Sequence, residues 1–127
     1  MKIGLVEPDE LLADLVSFRL ELLGHQVVCW QSGSEMLEAV AEAHADCLIV
    51  DTYLPDMQGL EAISKVRKSF AMNSLPILTL SIDTDLSLVE QAYRAGTNDY
   101  LITPFDPATL QAKCDAMLLQ RSHARHR

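Results

Sequence analysis

Short apolar segments alternate with longer segments of helical periodicity along this chain, and that alternation constrains the fold more than any other feature. Each apolar segment has the length of a strand, and the segments between them repeat apolar residues at the three- and four-residue spacing of a helix. Strands separated by helices pair in parallel through right-handed crossovers, and continuous apolar strands are covered on both faces. We therefore predict a three-layer, doubly wound α/β domain with a parallel sheet. The five predicted strands are 2–6, 27–30, 47–51, 76–81 and 100–102.

The first predicted helix carries a continuous apolar stripe. Leu11, Leu15, Phe18 and Leu22 follow the helical spacing, and Gly24 is a natural helix end. Capping signals mark three other helices, because particular residue types satisfy the free backbone groups at helix ends. These signals are the capping-box spacing at 32–35, Gly96 after the fourth helix, and Asp106 with Pro107 at the start of the fifth.

Length, charge and cysteine content narrow the class of protein. A chain of 127 residues fits one domain, which we assign to 1–120, with 121–127 as a basic tail or a truncated linker. A formal net charge of −8 argues against nucleic-acid binding by this domain. No apolar run approaches the ~18 residues of a membrane span. The three cysteines are widely spaced and fit a reducing compartment, so we expect a cytoplasmic protein without a signal peptide.

Acidic residues stand where the first and third predicted strands end. Glu7 and Asp9 follow the first strand, and Asp51 closes the third, ahead of a turn signal at 54–59. In a doubly wound sheet the ligand crevice lies beyond the carboxyl ends of the strands, where the winding direction reverses. If these two strands flank the reversal, the three carboxylates converge there. Such a cluster suits a divalent cation or a phosphoryl group.

Several segments, in this order, resemble the receiver domain of two-component response regulators over residues 2–120. The resemblance implies a flavodoxin-like sheet of strand order 2-1-3-4-5, and a signalling module in place of an enzyme. The segments that carry it are the acid-bearing 5–10, Asp51 with the loop 54–59, Leu80 with Ser81, the stretch 95–100, and Pro104 with Phe105.

The resemblance also assigns roles to individual residues. In that family the aspartate that corresponds to Asp51 accepts a phosphoryl group from a histidine of a sensor kinase or phosphotransfer protein. A bound Mg²⁺ assists, because the carboxylate and the phosphoryl group are both anionic. The family pattern nominates Glu7, Asp51 and the main-chain carbonyl of Tyr53 as Mg²⁺ ligands. Ser81 matches the hydroxyl that turns toward the phosphoryl oxygen, and Tyr100 matches the aromatic that moves inward with it.

Two positions depart from the family pattern. Pro8 replaces an acid that normally binds the metal, and Thr103 replaces the lysine that pairs with the phosphoryl group. A neutral hydrogen bond from threonine is about half as strong as the charge-assisted bond from lysine. Asp9 is the remaining candidate for the missing ligand, although its carboxylate also suits the N-cap of the first helix. We therefore expect weak Mg²⁺ binding, together with a cis bond before Pro104 as in the family.

Each candidate residue also has an ordinary structural interpretation. An aspartate at a strand end, such as Asp51, often forms a turn, and Glu7 is alternatively a solvated strand-end acid. Ser81 is alternatively a hydrogen-bond partner for the following loop, and Tyr100 a half-buried core ring. For Asp51, the whole pattern of segments favours the phosphoacceptor position over the ordinary one.

The predicted function is a phosphorylation-controlled docking module in a phosphorelay. Its partners are the phosphodonor and a downstream effector or output domain, and the fourth helix, fifth strand and fifth helix are a candidate effector or homodimer face. The alternative is a pseudo-receiver, which has the same fold and binds a partner without phosphotransfer, as Pro8 and Thr103 would permit. An aspartyl-phosphate phosphatase is disfavoured because Tyr53 stands where its second acid would be. A flavin carrier is disfavoured because the loop after Val6 has no glycine- and hydroxyl-rich phosphate cradle.

Overall fold

Five strands and five helices alternate in the computed structural model, which describes the backbone of residues 1–125 and the side chains of residues 1–121. All the strands run parallel, in the order β2-β1-β3-β4-β5. The predicted fold class and strand order are therefore confirmed. The elements are β1 (Lys2–Val6), α1 (Glu10–Leu22), β2 (Gln26–Trp30), α2 (Gly33–Ala43), β3 (Cys47–Asp51), α3 (Gly59–Arg67), β4 (Ile77–Ser81), α4 (Leu86–Ala95), β5 (Asp99–Ile102) and α5 (Pro107–Arg125).

Two apolar layers, one on each face of the sheet, form the core. The first layer lies under α1 and α5, and the second lies under α2 and α3. Residues of the central strands alternate between the layers, because successive side chains along a strand point to opposite faces. With both faces covered, the ends of the strands are where a ligand can reach the sheet. Fully buried members are Ile3, Leu5, Val16, Leu20, Cys47, Ile49, Leu78, Leu80 and Cys114 in the first layer, and Val6, Met36, Leu48, Val50, Ala62, Ile63 and Ile77 in the second.

The apolar stripe predicted for α1 lies on the solvent side of that helix. Its four residues, Leu11, Leu15, Phe18 and Leu22, are between 54% and 70% exposed. Helix α1 carries apolar residues on two adjacent stripes, and the stripe with the smaller side chains packs on the sheet, where it allows close approach. The exposed stripe is thus an uncovered apolar patch of the kind that marks an interaction surface. The buried stripe consists of Ala13, Val16 and Leu20.

The predicted capping signals act at the helix ends where they were expected. Ser32 Oγ accepts a hydrogen bond from the Glu35 amide at 3.1 Å, and the Glu35 carboxylate accepts one from the Gln31 amide at 3.1 Å. The second bond reaches one residue further back than in a standard capping box. Gly96 ends α4 with a φ of +117°, a conformation that favours glycine.

Helix α5 extends beyond the domain boundary predicted at residue 120. It continues through Arg125, and the Arg121 side chain folds back onto the body of the protein. Its Nη1 lies 2.7 Å from Asp46 Oδ1, and its Nε donates to the Ser74 carbonyl at 2.9 Å. Arg121 is therefore held against the body of the protein, because a partly buried carboxylate binds its guanidinium. Residues 126 and 127 lie outside the described residues, and the division into a domain and a tail or linker stays a prediction.

None of the helices within residues 1–125, the long α5 included, combines the length and the apolar character that crossing a membrane requires.

Candidate functional site

The candidate site is a crevice at the carboxyl ends of β1, β3 and β4, which are neighbours in the sheet. The register of β1 with β3 places Glu7 beside Asp51. The register of β3 with β4 pairs Asp51 with Leu80, so Ser81 follows immediately on the far side of the crevice. The structure therefore brings together one residue from each of three strand ends, namely Glu7, Asp51 and Ser81.

Asp51 ends β3 with a half-buried carboxylate. Its Oδ1 accepts a hydrogen bond from the Tyr53 amide at 2.9 Å, which turns the chain into the β3–α3 loop. Gly59 begins α3 so close to the Asp51 carbonyl that a Cβ there would overlap it, which leaves glycine as the residue that fits. The Gly59 amide also donates to the Thr52 carbonyl at 2.8 Å. The Asp51 carboxylate is thus held in one place and still reached from solvent.

Asp56 anchors the β3–α3 loop to the start of α2. Its carboxylate accepts hydrogen bonds from the Ser34 hydroxyl at 2.6 Å, the Ser34 amide at 2.9 Å and the Gly33 amide at 3.0 Å. The bonds from Ser34, hydroxyl first, hold the pKa of Asp56 down at about 2. The loop that carries the Tyr53 carbonyl is therefore fixed at both ends, by Asp56 and by Asp51.

Glu7 is a buried acid, only 3% exposed, whose partners are incomplete. Its Oε2 accepts a hydrogen bond from the Asp9 amide at 3.1 Å, while its Oε1 is buried without a donor. Burial, first, and the neighbouring Asp51 carboxylate together raise the pKa of Glu7 to about 8. Both causes disfavour the charged form of a carboxyl group. Glu7 therefore holds a proton at neutral pH when no cation is bound.

Asp9 serves as the N-cap of α1. It is exposed, and its Oδ1 accepts hydrogen bonds from the Leu11 amide at 3.0 Å and the Leu12 amide at 3.3 Å. This is the structural one of the two roles predicted for Asp9. Across the described residues, no group of three or more His, Cys, Asp or Glu side chains is arranged to hold a metal ion. Within the described residues, the carboxylates that face each other in the crevice are those of Glu7 and Asp51.

Hydroxyl groups form a connected cluster beside the carboxylates. The buried Ser81 Oγ accepts hydrogen bonds from the Thr52 hydroxyl at 3.0 Å and from the Asp83 amide at 3.0 Å. Tyr100 is 8% exposed, and its phenol donates to the Asp83 carbonyl at 3.3 Å. Burial raises the pKa of Tyr100, and the nearby Ser81 hydroxyl opposes that rise. Both predicted switch residues thus belong to one network, which Thr52 enters without any sequence signal.

The position of the usual family lysine is occupied by a neutral side chain. Thr103 is half-buried, its amide donates to the Ser81 carbonyl at 2.8 Å, and the bond before Pro104 is cis as expected. Three other basic residues, Lys2, Lys65 and Arg67, lie away from this position. Lys65 Nζ lies 3.9 Å from Glu61 Oε2 on the exposed side of α3. Lys2 begins β1 at the opposite end of the sheet, and the Arg67 guanidinium donates to Gly96, Phe70, Ala71, Leu75 and Asn98 there.

Tyr53 and Asp83 meet across the mouth of the crevice. The exposed Tyr53 phenol donates to Asp83 Oδ2 at 3.3 Å, and the nearby Asp83 charge raises the pKa of Tyr53. This contact joins the β3–α3 loop to the β4–α4 loop directly above the Asp51 carboxylate.

Comparison with known proteins agrees with this geometry. The sequence matches the response regulator receiver domain over residues 3–115. The transcriptional regulatory protein CrdR of Helicobacter pylori is 33% identical over 112 residues, which are 88% of this chain and 52% of that protein. The chemotaxis protein CheY1 of Helicobacter pylori is 30% identical over 120 residues, which are 93% of this chain and 97% of that protein. The solved structure of the chemotaxis response regulator CheY4 of Vibrio cholerae has a TM-score of 0.85 and 28% identity, covering 92% of this chain and 98% of that one.

The chain belongs to the response regulator receiver domain family. It is therefore a signalling module of two-component systems, as the sequence predicted. The chain spans about half the length of CrdR, at 52%, and nearly the whole of CheY1, at 97%.

Proposed function

We propose that Asp51 accepts a phosphoryl group from a histidine of a sensor kinase or phosphotransfer protein. One Asp51 carboxylate oxygen attacks phosphorus, the P–N bond to the histidine breaks, and an acyl phosphate forms. The observation that carries the proposal is the half-buried Asp51 carboxylate between Glu7 and Ser81 at the carboxyl end of a receiver sheet. The added charge and acceptor oxygens then favour a new arrangement of Ser81 and Tyr100, and with it a new surface.

Mg²⁺ is the cofactor that the family implies, and the crevice offers oxygen ligands of the right kind. Glu7 and Asp51 supply carboxylates, and Tyr53 supplies its main-chain carbonyl. The buried Oε1 of Glu7 has neither a hydrogen-bond donor nor a positive partner. When bound, the cation would offset the repulsion between the Asp51 carboxylate and an incoming phosphoryl group. Pro8 adds no side-chain oxygen, so we propose weak binding.

The exposed stripe of α1 is proposed as the surface that receives the histidine-bearing partner. A protein that presents a phosphohistidine to Asp51 must cover the surface beside the crevice, and α1 begins there, three residues after Glu7. The stripe continues into a groove of about 460 Å³ between α1 and the β5–α5 loop. The groove is lined by Leu12, Leu15, Phe18, Arg19, Pro104, Phe105 and Pro107.

The phosphoacceptor role of Asp51 is tested with a small phosphodonor. The protein is incubated with acetyl phosphate and MgCl₂, and the intact mass is measured. We expect a mass gain of one phosphoryl group, which hydroxylamine removes because the product is an acyl phosphate. Asp51→Asn should abolish the gain, whereas Asp115→Asn, at an exposed position of α5, should leave it unchanged. A wild-type protein that gains no phosphoryl group from any donor would favour the pseudo-receiver alternative.

The docking role of α1 is tested by comparing two kinds of phosphodonor. Leu15→Arg should reduce phosphorylation by a phosphohistidine protein by roughly tenfold or more, the size of a central interface contact. Acetyl phosphate needs no docking surface, so its reaction should not change. Leu119→Arg is the matched control, because Leu119 is 61% exposed on α5. Equal effects of the two variants, or of the two donors, would contradict the docking proposal.

The output of the switch is proposed to pass through α4, β5 and α5 to a downstream effector, an output domain or a second copy of this chain. Leu86 and Tyr93 are large exposed side chains on α4 that such a partner would cover. We infer a cytoplasmic location, which is supported by three free cysteines.

A further inference from the structure

Thr52, the residue after Asp51, places a buried hydroxyl against Ser81. Thr52 lies opposite Ser81 in the pairing of β3 with β4, because Asp51 pairs with Leu80. The two side chains are 2% and 1% exposed, and the Thr52 hydroxyl donates to Ser81 Oγ at 3.0 Å.

Both acceptor positions of the Ser81 hydroxyl are occupied in this arrangement. A serine hydroxyl has two acceptor positions and one proton. The acceptor positions are taken by the Thr52 hydroxyl and the Asp83 amide. Ser81 therefore cannot turn to a new acceptor on Asp51 without losing at least one of these bonds.

Thr52 itself cannot follow such a movement. Its amide donates to the Leu80 carbonyl at 3.0 Å, and its carbonyl accepts from the Gly59 amide at 2.8 Å. Its side chain is β-branched, which restricts rotation about the first side-chain bond. The donor that holds Ser81 is thus fixed to the frame of the sheet.

We propose that Thr52 is a positioning residue that keeps the Ser81 hydroxyl in its resting place and so opposes the phosphorylated state. Ser81 must give up the Thr52 bond before its proton can be donated to a phosphoryl oxygen on Asp51. This inference rests on the proposed phosphoacceptor role of Asp51 and adds to it a residue that sets the balance between the two states.

The test removes one hydroxyl while keeping the shape of the side chain. Thr52→Val lacks the donor, and Thr52→Ser retains it. Beryllofluoride with MgCl₂ serves as the phosphoryl mimic, and its binding is titrated by amide NMR. We expect Thr52→Val to bind beryllofluoride roughly two- to tenfold tighter than wild type, which corresponds to the contribution of one hydrogen bond. Thr52→Ser should bind like wild type. In a Ser81→Ala background, Thr52→Val should have no further effect.

A second readout does not depend on the phosphoryl mimic. Without beryllofluoride, the ring resonances of Tyr100 should shift in Thr52→Val and not in Thr52→Ser, because Ser81 links the two residues. Thr52→Ala provides the same comparison if thermal unfolding shows that the valine variant does not fold.

Three outcomes would overturn the inference. If Thr52→Val binds beryllofluoride no tighter than wild type, Thr52 does not restrain Ser81. The same conclusion follows if Thr52→Val raises the affinity equally in the Ser81→Ala background. Tyr100 resonances that ignore the loss of the hydroxyl would show the same. A wild-type protein that fails to bind beryllofluoride at all would instead show that the proposed function of Asp51 is wrong, and the inference would fall with it.

Discussion

Glu7 keeps a proton in the crevice because its burial and the adjacent Asp51 carboxylate both disfavour the ionised form. That proton occupies the place where the family expects a cation. The resting crevice is consequently less negative than its two carboxyl groups suggest.

Glu7→Gln should change the pH dependence of stability in metal-free buffer. The pKa of Glu7 is raised from 4.5 in the unfolded chain to about 8 in the folded protein. Between these values the folded state holds a proton that the unfolded state has lost, so wild-type stability falls as pH rises from 4.5 to about 8. Glutamine cannot ionise, so the variant should gain stability relative to wild type across this range. Urea unfolding at a series of pH values measures the difference, and parallel curves would contradict it.

Pro8→Asp should strengthen Mg²⁺ binding by roughly tenfold, because it adds one charged ligand to a crevice that has two. Isothermal titration with MgCl₂ measures the affinity. Pro8→Asn is the matched control, since it removes the proline without adding a charge, and it should bind Mg²⁺ like wild type. If both variants bind equally, the proline ring, and not the missing charge, limits the site.

At the scale of whole elements, α4 is the most loosely held of the helices that flank the crevice. It buries a single side chain, Ala92, and the sheet beneath it carries hydroxyls in place of apolar groups. Among these hydroxyls, Thr79 donates to Thr97 at 2.8 Å. Few buried apolar contacts allow an element to open locally at low cost in free energy. Helix α4 is therefore the element that the switch can displace most easily.

Hydrogen exchange should show this difference directly. We expect the amides of α4 to exchange at least about tenfold faster than those of α3, which buries Gly59, Ala62, Ile63 and Val66. Exchange measured by NMR on the unphosphorylated protein gives both helices in one experiment, so α3 is the internal control. Equal protection of the two helices would show that α4 is held by contacts other than buried apolar area.

The order of the elements could be predicted because apolar runs and capping residues are local signals. The capping box at Ser32 and the glycine at 96 fixed helix ends close to where the structure has them. The buried face of α1 could not be predicted, since the helix has two apolar stripes and only packing decides between them. Thr52 gave no signal, because its role depends on a partner 29 residues away. The contact of Arg121 could not be predicted, because its partner Asp46 is 75 residues away.

The molecule as a whole has a fixed end and a switchable end. At the amino ends of the strands, the Arg67 guanidinium binds several carbonyl groups and Asn98, and Arg121 binds Asp46 and Ser74. At the carboxyl ends, single hydroxyl bonds connect Thr52 with Ser81, and Tyr100 with the Asp83 carbonyl. Multiple charge-assisted bonds resist rearrangement, whereas single neutral bonds exchange partners readily. The frame can therefore stay in place while the crevice changes.

Arg121→Ala should destabilise the protein by about 1–3 kcal/mol without reducing phosphorylation by acetyl phosphate. The Arg121 and Asp46 side chains are 17% and 13% exposed, so the variant leaves a partly buried carboxylate with one bond fewer. Urea unfolding measures the loss. The control is Arg94→Ala, whose ion pair with Glu90 is 80% and 70% exposed and should contribute less than about 0.5 kcal/mol. Equal losses would mean that the location of an ion pair does not matter here.

The exposed leucines and phenylalanine of α1 give each copy of this chain an apolar surface that can associate with other apolar surfaces. The formal net charge of −8 makes copies of the chain repel one another, and this repulsion opposes their association through α1. Salt screens the electrostatic repulsion between copies and does not weaken the apolar attraction. The balance between repulsion and apolar attraction therefore shifts toward self-association through α1 as the salt concentration rises.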